Sequence, residues 1–78
     1  MKKLHKTTVL KKRRIDHKLS QGDLAAKVGV AISSIGGYER GENPLTIETA
    51  KYIAQALETT PESLFKPHPK LKGKYIAK

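Results

Sequence analysis

Apolar residues recur along this chain in short bursts at three- and four-residue spacing, the period of helices that each bury one face. The clearest burst is Ile47, Ala50, Ile53, Ala54 and Leu57, with Thr46 placed to cap its start. Upstream, "LSQGDLAAKVGV" (residues 19–30) sets Leu24, Ala25 and Val28 on one face, opens with Ser20 and Asp23 at capping-box spacing, and closes on Gly29. A thinner stripe of Val9, Leu10 and Ile15 predicts a first helix that starts at Thr7 or Thr8 and runs to about His17. After Val30 the chain restarts as a helix at Ala31 or Ile32 and reaches Gly41, again suited to a left-handed C-terminal cap, and "ENPL" then reads as a loop. Thr60 and Pro61 open a short fifth helix that carries Leu64 and Phe65. No stretch reads convincingly as a strand. The last thirteen residues, "KPHPKLKGKYIAK", hold two prolines, five lysines and a glycine and read as an extended or disordered tail, with "KYIAK" pairing as a strand on another element as the alternative. The expected fold is all-α: five helices over 7–65, a basic N-terminal arm at 1–6 and a basic C-terminal tail at 66–78.

At 78 residues without a cysteine, the chain has room for one small domain held by apolar packing alone, and a core of that size gains from a partner chain. Charge changes the picture more. The net charge is +9, but it is unevenly placed: residues 1–18 carry eight basic groups and one acid, residues 19–65 three and six, and residues 66–78 five and none. The module is mildly acidic and its flanks are basic, which predicts attraction to a polyanion through the flanks, against the plainer reading that they serve only solubility. No apolar run approaches a membrane span, and "MKKLHKTTVLKK" has the charges of a signal peptide without an apolar stretch behind them. A cytoplasmic protein with no membrane partner is the expectation.

Two short helices joined at Gly29 have the packing requirements of a helix-turn-helix. Ala25 is small where the second helix must cross close by, and Val28 and Ile35 plug the joint. An ordinary helical hairpin without function meets the same requirements. "LSQGDLAAKVGV", "YERG" and "NPLTIETAKYIAQAL", in that order, make residues 9 to 65 resemble the Cro-like or lambda-repressor-like helix-turn-helix domain, the XRE family. The resemblance implies a five-helix fold and a DNA-binding transcriptional regulator. It further implies a repressor that acts as a homodimer on a two-fold symmetric operator, with the third helix in the major groove of double-stranded DNA. The dimer is expected to cover Leu64 and Phe65, partly exposed in a single chain.

The same resemblance assigns site residues. Gln21 matches a residue that contacts a phosphate or supports a base contact, Arg40 a phosphate ligand, and Tyr38 a position that packs more often than it bonds a phosphate. Arg14 and Glu39 match a pair that bridges the first and third helices. Ala31, Ile32, Ser33, Ser34, Gly36 and Gly37 occupy the base-reading positions, where relatives place Gln, Arg, Lys, Ser or Thr. Only the two serines can exchange a hydrogen bond there, so apolar contact with thymine methyls is left for Ala31 and Ile32. A·T-rich sites and modest discrimination are expected. The DNA-binding set is therefore Gln21, Ala31, Ile32, Ser33, Ser34, Gly37, Tyr38 and Arg40. Gly36 and Gly37 also weaken the helix that carries them. They allow three readings: close backbone approach to DNA or a partner, a helix that is short or flexible until bound, or a module that has lost strong DNA reading.

Other chemistry finds little support. His5, His17 and His68 lack metal-ligand spacing, no nucleophile and base can be assembled, and "GGYERGE" places Glu42 where a phosphate-binding loop needs lysine. No enzyme, cofactor, metal or small-molecule substrate is expected. The alternative function is a protein-interaction module of antitoxin or adaptor type, with the same fold and weak DNA affinity.

Overall fold

A computed structural model describes residues 7–78; the arm at 1–6, with His5, lies outside the described residues. Five helices occur in the expected order: α1 (Val9–Asp16), α2 (Gln21–Val28), α3 (Ile32–Glu39), α4 (Ile47–Ala56) and α5 (Pro61–Leu64). Their ends follow local chemistry. Thr8 rather than Thr7 caps α1, its hydroxyl accepting from the Lys11 N–H. Ser20 and Asp23 form a complete capping box on α2, and Gly29 ends that helix with a left-handed φ of 86°. Thr46 caps α4 by accepting from the Thr49 N–H at 3.1 Å.

The core gathers Leu10, Leu24, Ala25, Ile35, Leu45, Ala50, Ile53, Ala54, Leu57, Leu64, Phe65 and Ala77. Ala50, Ile53 and Ala54 from α4, and Leu57 at its C-cap, are buried as their spacing requires, while Ile47 turns outward and is exposed. Ile15, read as part of the α1 stripe, is exposed too, so α1 is anchored by Leu10 and by Arg14 instead.

The all-α expectation is wrong: the C-terminal residues form strands, and Leu45, expected in the "ENPL" loop, opens a strand that pairs with them. Strands β1 (Leu45–Thr46), β2 (Phe65–Pro67) and β3 (Lys74–Ala77) form an antiparallel sheet in the order β1-β3-β2. Leu45 pairs with Tyr75 and Thr46 with Lys74, while Phe65, Lys66 and Pro67 pair with Ala77, Ile76 and Tyr75. What read as an extended or disordered tail is a hairpin with its own internal bonds. In its turn the His68 Nδ1 accepts from the N–H groups of Lys70 and Leu71, both at 3.0 Å, and Gly73 takes a left-handed φ of 80°. Pro67 fits because β2 is an edge strand, where a missing N–H breaks no ladder. The physical reason for the error is that composition weighs only the segment itself. β3 is held by partners far away in sequence: β1 on one side, β2 on the other, and the Phe65 ring stacked on Tyr75 at 6.5 Å.

The hairpin also closes the molecule. The Lys78 N–H donates to the Leu64 carbonyl at 2.9 Å, and the Lys78 carbonyl accepts from the Val9 N–H at 3.0 Å, joining the last described residue to the start of α1. Leu64 and Phe65 are 0% and 3% exposed within the single chain. The surface expected to be left for a second copy is covered by the chain itself.

Candidate nucleic-acid interface

α2 and α3 pack against each other around Gly29, with Ala25 and Ile35 buried at the joint and Val28 half-buried beside them. What fixes the pair to the rest of the domain is a buried ionic cluster centred on Glu39. Arg14 grips both oxygens of that carboxylate, Nε donating to Oε2 and Nη2 to Oε1 at 3.2 Å, and its Nη1 donates to the Leu19 carbonyl at 2.7 Å. Gln21 Nε2 donates to the same Oε1 at 3.0 Å, and the Thr8 hydroxyl donates to the Glu39 backbone carbonyl at 2.7 Å. Arg14 and Glu39 are only 7% and 4% exposed, so this is an interior pair with its hydrogen bonds completed, not a surface contact. Among the described residues no buried side-chain nitrogen or oxygen lacks a partner. The cluster ties α1, the start of α2 and the end of α3 into one unit.

The outer side of that unit displays part of the residue set that the resemblance implied. Ala31 caps α3 and is exposed, with no side-chain hydrogen bond to the helix start. Ile32 is 56% exposed and lies over the first turn of α2, where a Cβ on Gly22 would meet its Cδ1 at 3.4 Å. Ser33 is exposed and Ser34 half-buried. Arg40 is exposed at the C-terminal end of α3, its Nε 3.0 Å from a Glu42 carboxylate oxygen. Gln21 sits between the two helices with one N–H already engaged by Glu39.

Two members of the set fall elsewhere. Tyr38 is half-buried and packs against the core, in keeping with the packing role. Gly37 is buried: the carboxamide of Asn43 lies across it, on the space a side chain at 37 would take. The sequence places Asn43 only within the "ENPL" loop. The available signal was an asparagine followed by proline two residues after a glycine cap, which marks a fixed turn but not its destination.

Asp23 is the residue here whose acidity clearly departs from the ordinary. The Ser20 N–H donating to its carboxylate, and then the Ser20 side chain, hold it below the usual aspartate value. The effect belongs to the cap of α2.

The buried cluster thus locks two short crossed helices, with Ala31, Ile32, Ser33 and Arg40 exposed on the second. The family model described as Helix-turn-helix matches residues 10–64, well over half of the chain. The chain belongs to the XRE-type helix-turn-helix family. It is a DNA-binding transcription regulator of that type, and double-stranded DNA is its partner. No curated protein and no solved structure gives a significant match. The family match ends at residue 64, so the strands of this helix-turn-helix regulator beyond Leu64 lie outside the matched region. Among the described residues no helix is long and apolar enough to cross a membrane.

Proposed function

We propose that the regulator is a cytoplasmic repressor that binds a two-fold symmetric operator as a homodimer, each copy laying α3 in the major groove. The observation that carries this reading is the Glu39 cluster, which immobilises α3 against α1 and α2 while Ala31, Ile32, Ser33 and Arg40 stay exposed. Ile32 and Ala31 suit thymine methyls, and Ser33 suits a base edge or a phosphate. Arg40 and Lys66 line one cleft at the end of α3, together with Thr7 and Thr8, and suit the DNA backbone. The lysines of the hairpin add charge that is indifferent to sequence. In this reading the second copy docks on a surface other than Leu64 and Phe65, which the hairpin already covers.

Selection from random DNA duplexes at two salt concentrations tests the proposal. A palindromic consensus with half-sites about one helical turn apart supports it, as does an affinity whose logarithm falls with log salt by roughly 0.9 per neutralised phosphate. Absence of duplex binding, or binding insensitive to salt, refutes it. The bareness of α3 at Gly36 and Gly37 favours a second reading, a protein-interaction module of antitoxin or adaptor type. That reading gains if a protein partner binds the same face while duplex affinity stays low at every salt concentration.

A further inference from the structure

At 100° per residue, Ser33, Gly36, Gly37 and Arg40 fall within one arc of α3 about 100° wide. Ile35, Tyr38 and Glu39, which face the interior, lie on the opposite side. The outward arc therefore contains two positions without a side chain, yet both glycines are buried. They are covered by polar groups from further along the chain. The Arg40 guanidinium lies over Gly36, its Nη1 3.2 Å from the place of a Cβ there. The Asn43 carboxamide lies over Gly37, with its Cγ 2.7 Å and its Cβ 3.4 Å from the place of a Cβ at that position.

Asn43 is held there by its backbone. Gly41, at a left-handed φ of 72°, turns the chain back on α3. The Gly37 carbonyl then accepts from the N–H groups of both Glu42, at 3.0 Å, and Asn43, at 3.3 Å. Pro44 confines the residue before it to extended conformations, which removes much of the freedom Asn43 would otherwise have. Asn43 nevertheless remains exposed as a residue. A carboxamide presents a donor and an acceptor side by side, the arrangement that matches N6 and N7 of adenine in the major groove. Neither Ser33 nor Ser34 can offer that pairing.

We infer that Asn43 is a specificity-determining residue of the interface, occupying the place on the recognition helix that a side chain at position 37 would hold and reading one A·T pair through its carboxamide. The inference rests on the DNA-binding reading proposed above. It has a structural corollary: positions 37 and 43 compete for one space, so any side chain at 37 displaces the carboxamide.

The test is duplex selection with the full 78-residue chain as wild type, Asn43→Ala and Gly37→Ala, with circular dichroism to confirm that each is folded. In the wild type one A·T position should be preferred by about 5- to 150-fold, the range for a bidentate contact. Asn43→Ala should lose the preference at that position and keep the others, and Gly37→Ala should lose it at the same position. If Asn43→Ala keeps the consensus, or weakens all sequences equally as loss of a phosphate ligand does, the inference falls while DNA binding stands. If Gly37→Ala keeps the preference, the shared space is refuted. A wild type that selects no duplex removes the DNA reading and the inference with it.

Discussion

Replacing Gly36 and Gly37 by alanine, one at a time, separates two glycines that sequence treats alike. Within a helix, Gly→Ala gains about 1 kcal/mol where the new methyl group has room. At Gly36 the methyl meets the Arg40 Nη1 at 3.2 Å and the Gln21 Nε2 at 3.8 Å. The closer of these is the tip of a long side chain that is 60% exposed, so it can withdraw by a few tenths of an ångström at little cost. Gly36→Ala should therefore keep most of the gain, about 0.5 to 1 kcal/mol. For a domain of this size that raises the midpoint of thermal unfolding by roughly 2 to 8 °C. At Gly37 the methyl overlaps the Asn43 carboxamide and comes within 2.7 Å of its Cγ. Two backbone hydrogen bonds tie residues 42 and 43 to the Gly37 carbonyl, so the side chain must rotate away rather than the loop move. That displacement offsets the helical gain, and Gly37→Ala should melt at or below the wild type. Thermal unfolding followed at 222 nm, backed by urea titration, measures both. Equal stabilisation by the two substitutions, or loss of stability at Gly36, would refute the assignment of the two glycines to different neighbours.

Glu39→Ala leaves the buried Arg14 guanidinium without its carboxylate and should cost about 3 to 5 kcal/mol, read from urea midpoints. A loss below about 1 kcal/mol would mean the pair behaves as a surface contact. Because the folded state holds the Asp23 carboxylate below its ordinary acidity range, that state binds fewer protons than the unfolded chain. The stability it contributes is present above that range and is lost as pH falls through it. Asp23→Asn should flatten this part of the stability profile on the acid side of the ordinary aspartate range, and an unchanged profile would count against the cap. Deleting residues 74–78 removes the central strand and uncovers Leu45, Leu64 and Phe65, each worth about 1.5 to 3 kcal/mol when fully buried. Cooperative unfolding should weaken severely or vanish; a truncated chain with wild-type stability would show that the hairpin does not support the core.

The helices were legible because their signals are local. Ser20 with Asp23, Gly29, Thr46, and Thr60 with Pro61 each act within a few residues, and each marks an end that the structure places within a residue or two. The ionic bridge between Arg14 and Glu39 was legible only through the family resemblance, since no spacing rule relates residues 25 apart. Leu64 and Phe65, expected to be partly exposed in one chain and covered by a second copy, are covered by the chain's own hairpin. In sequence the two glycines are alike, both at positions where the resemblance implies base reading. Their different neighbours, Arg40 and Asn43, depend on how the loop after α3 returns, and local pattern carries no information on that.

By itself, the sequence determined five helices, three of them with side-chain caps at Thr8, Ser20 and Thr46, the small residue at the crossing of α2 and α3, and the basic flanks that predispose the chain to a polyanion. Each follows from backbone geometry, side-chain size or charge acting over a turn or two. Tertiary structure alone decided that the last residues form strands, because β3 takes its hydrogen bonds from Leu45–Thr46 and Phe65–Pro67, and it takes its apolar cover from the core. It also decided that the outward face of α3 is furnished at Gly37 by Asn43. Contacts between distant segments form only after the chain has turned back on itself, and the free energy of such contacts overrides what any short stretch would prefer alone.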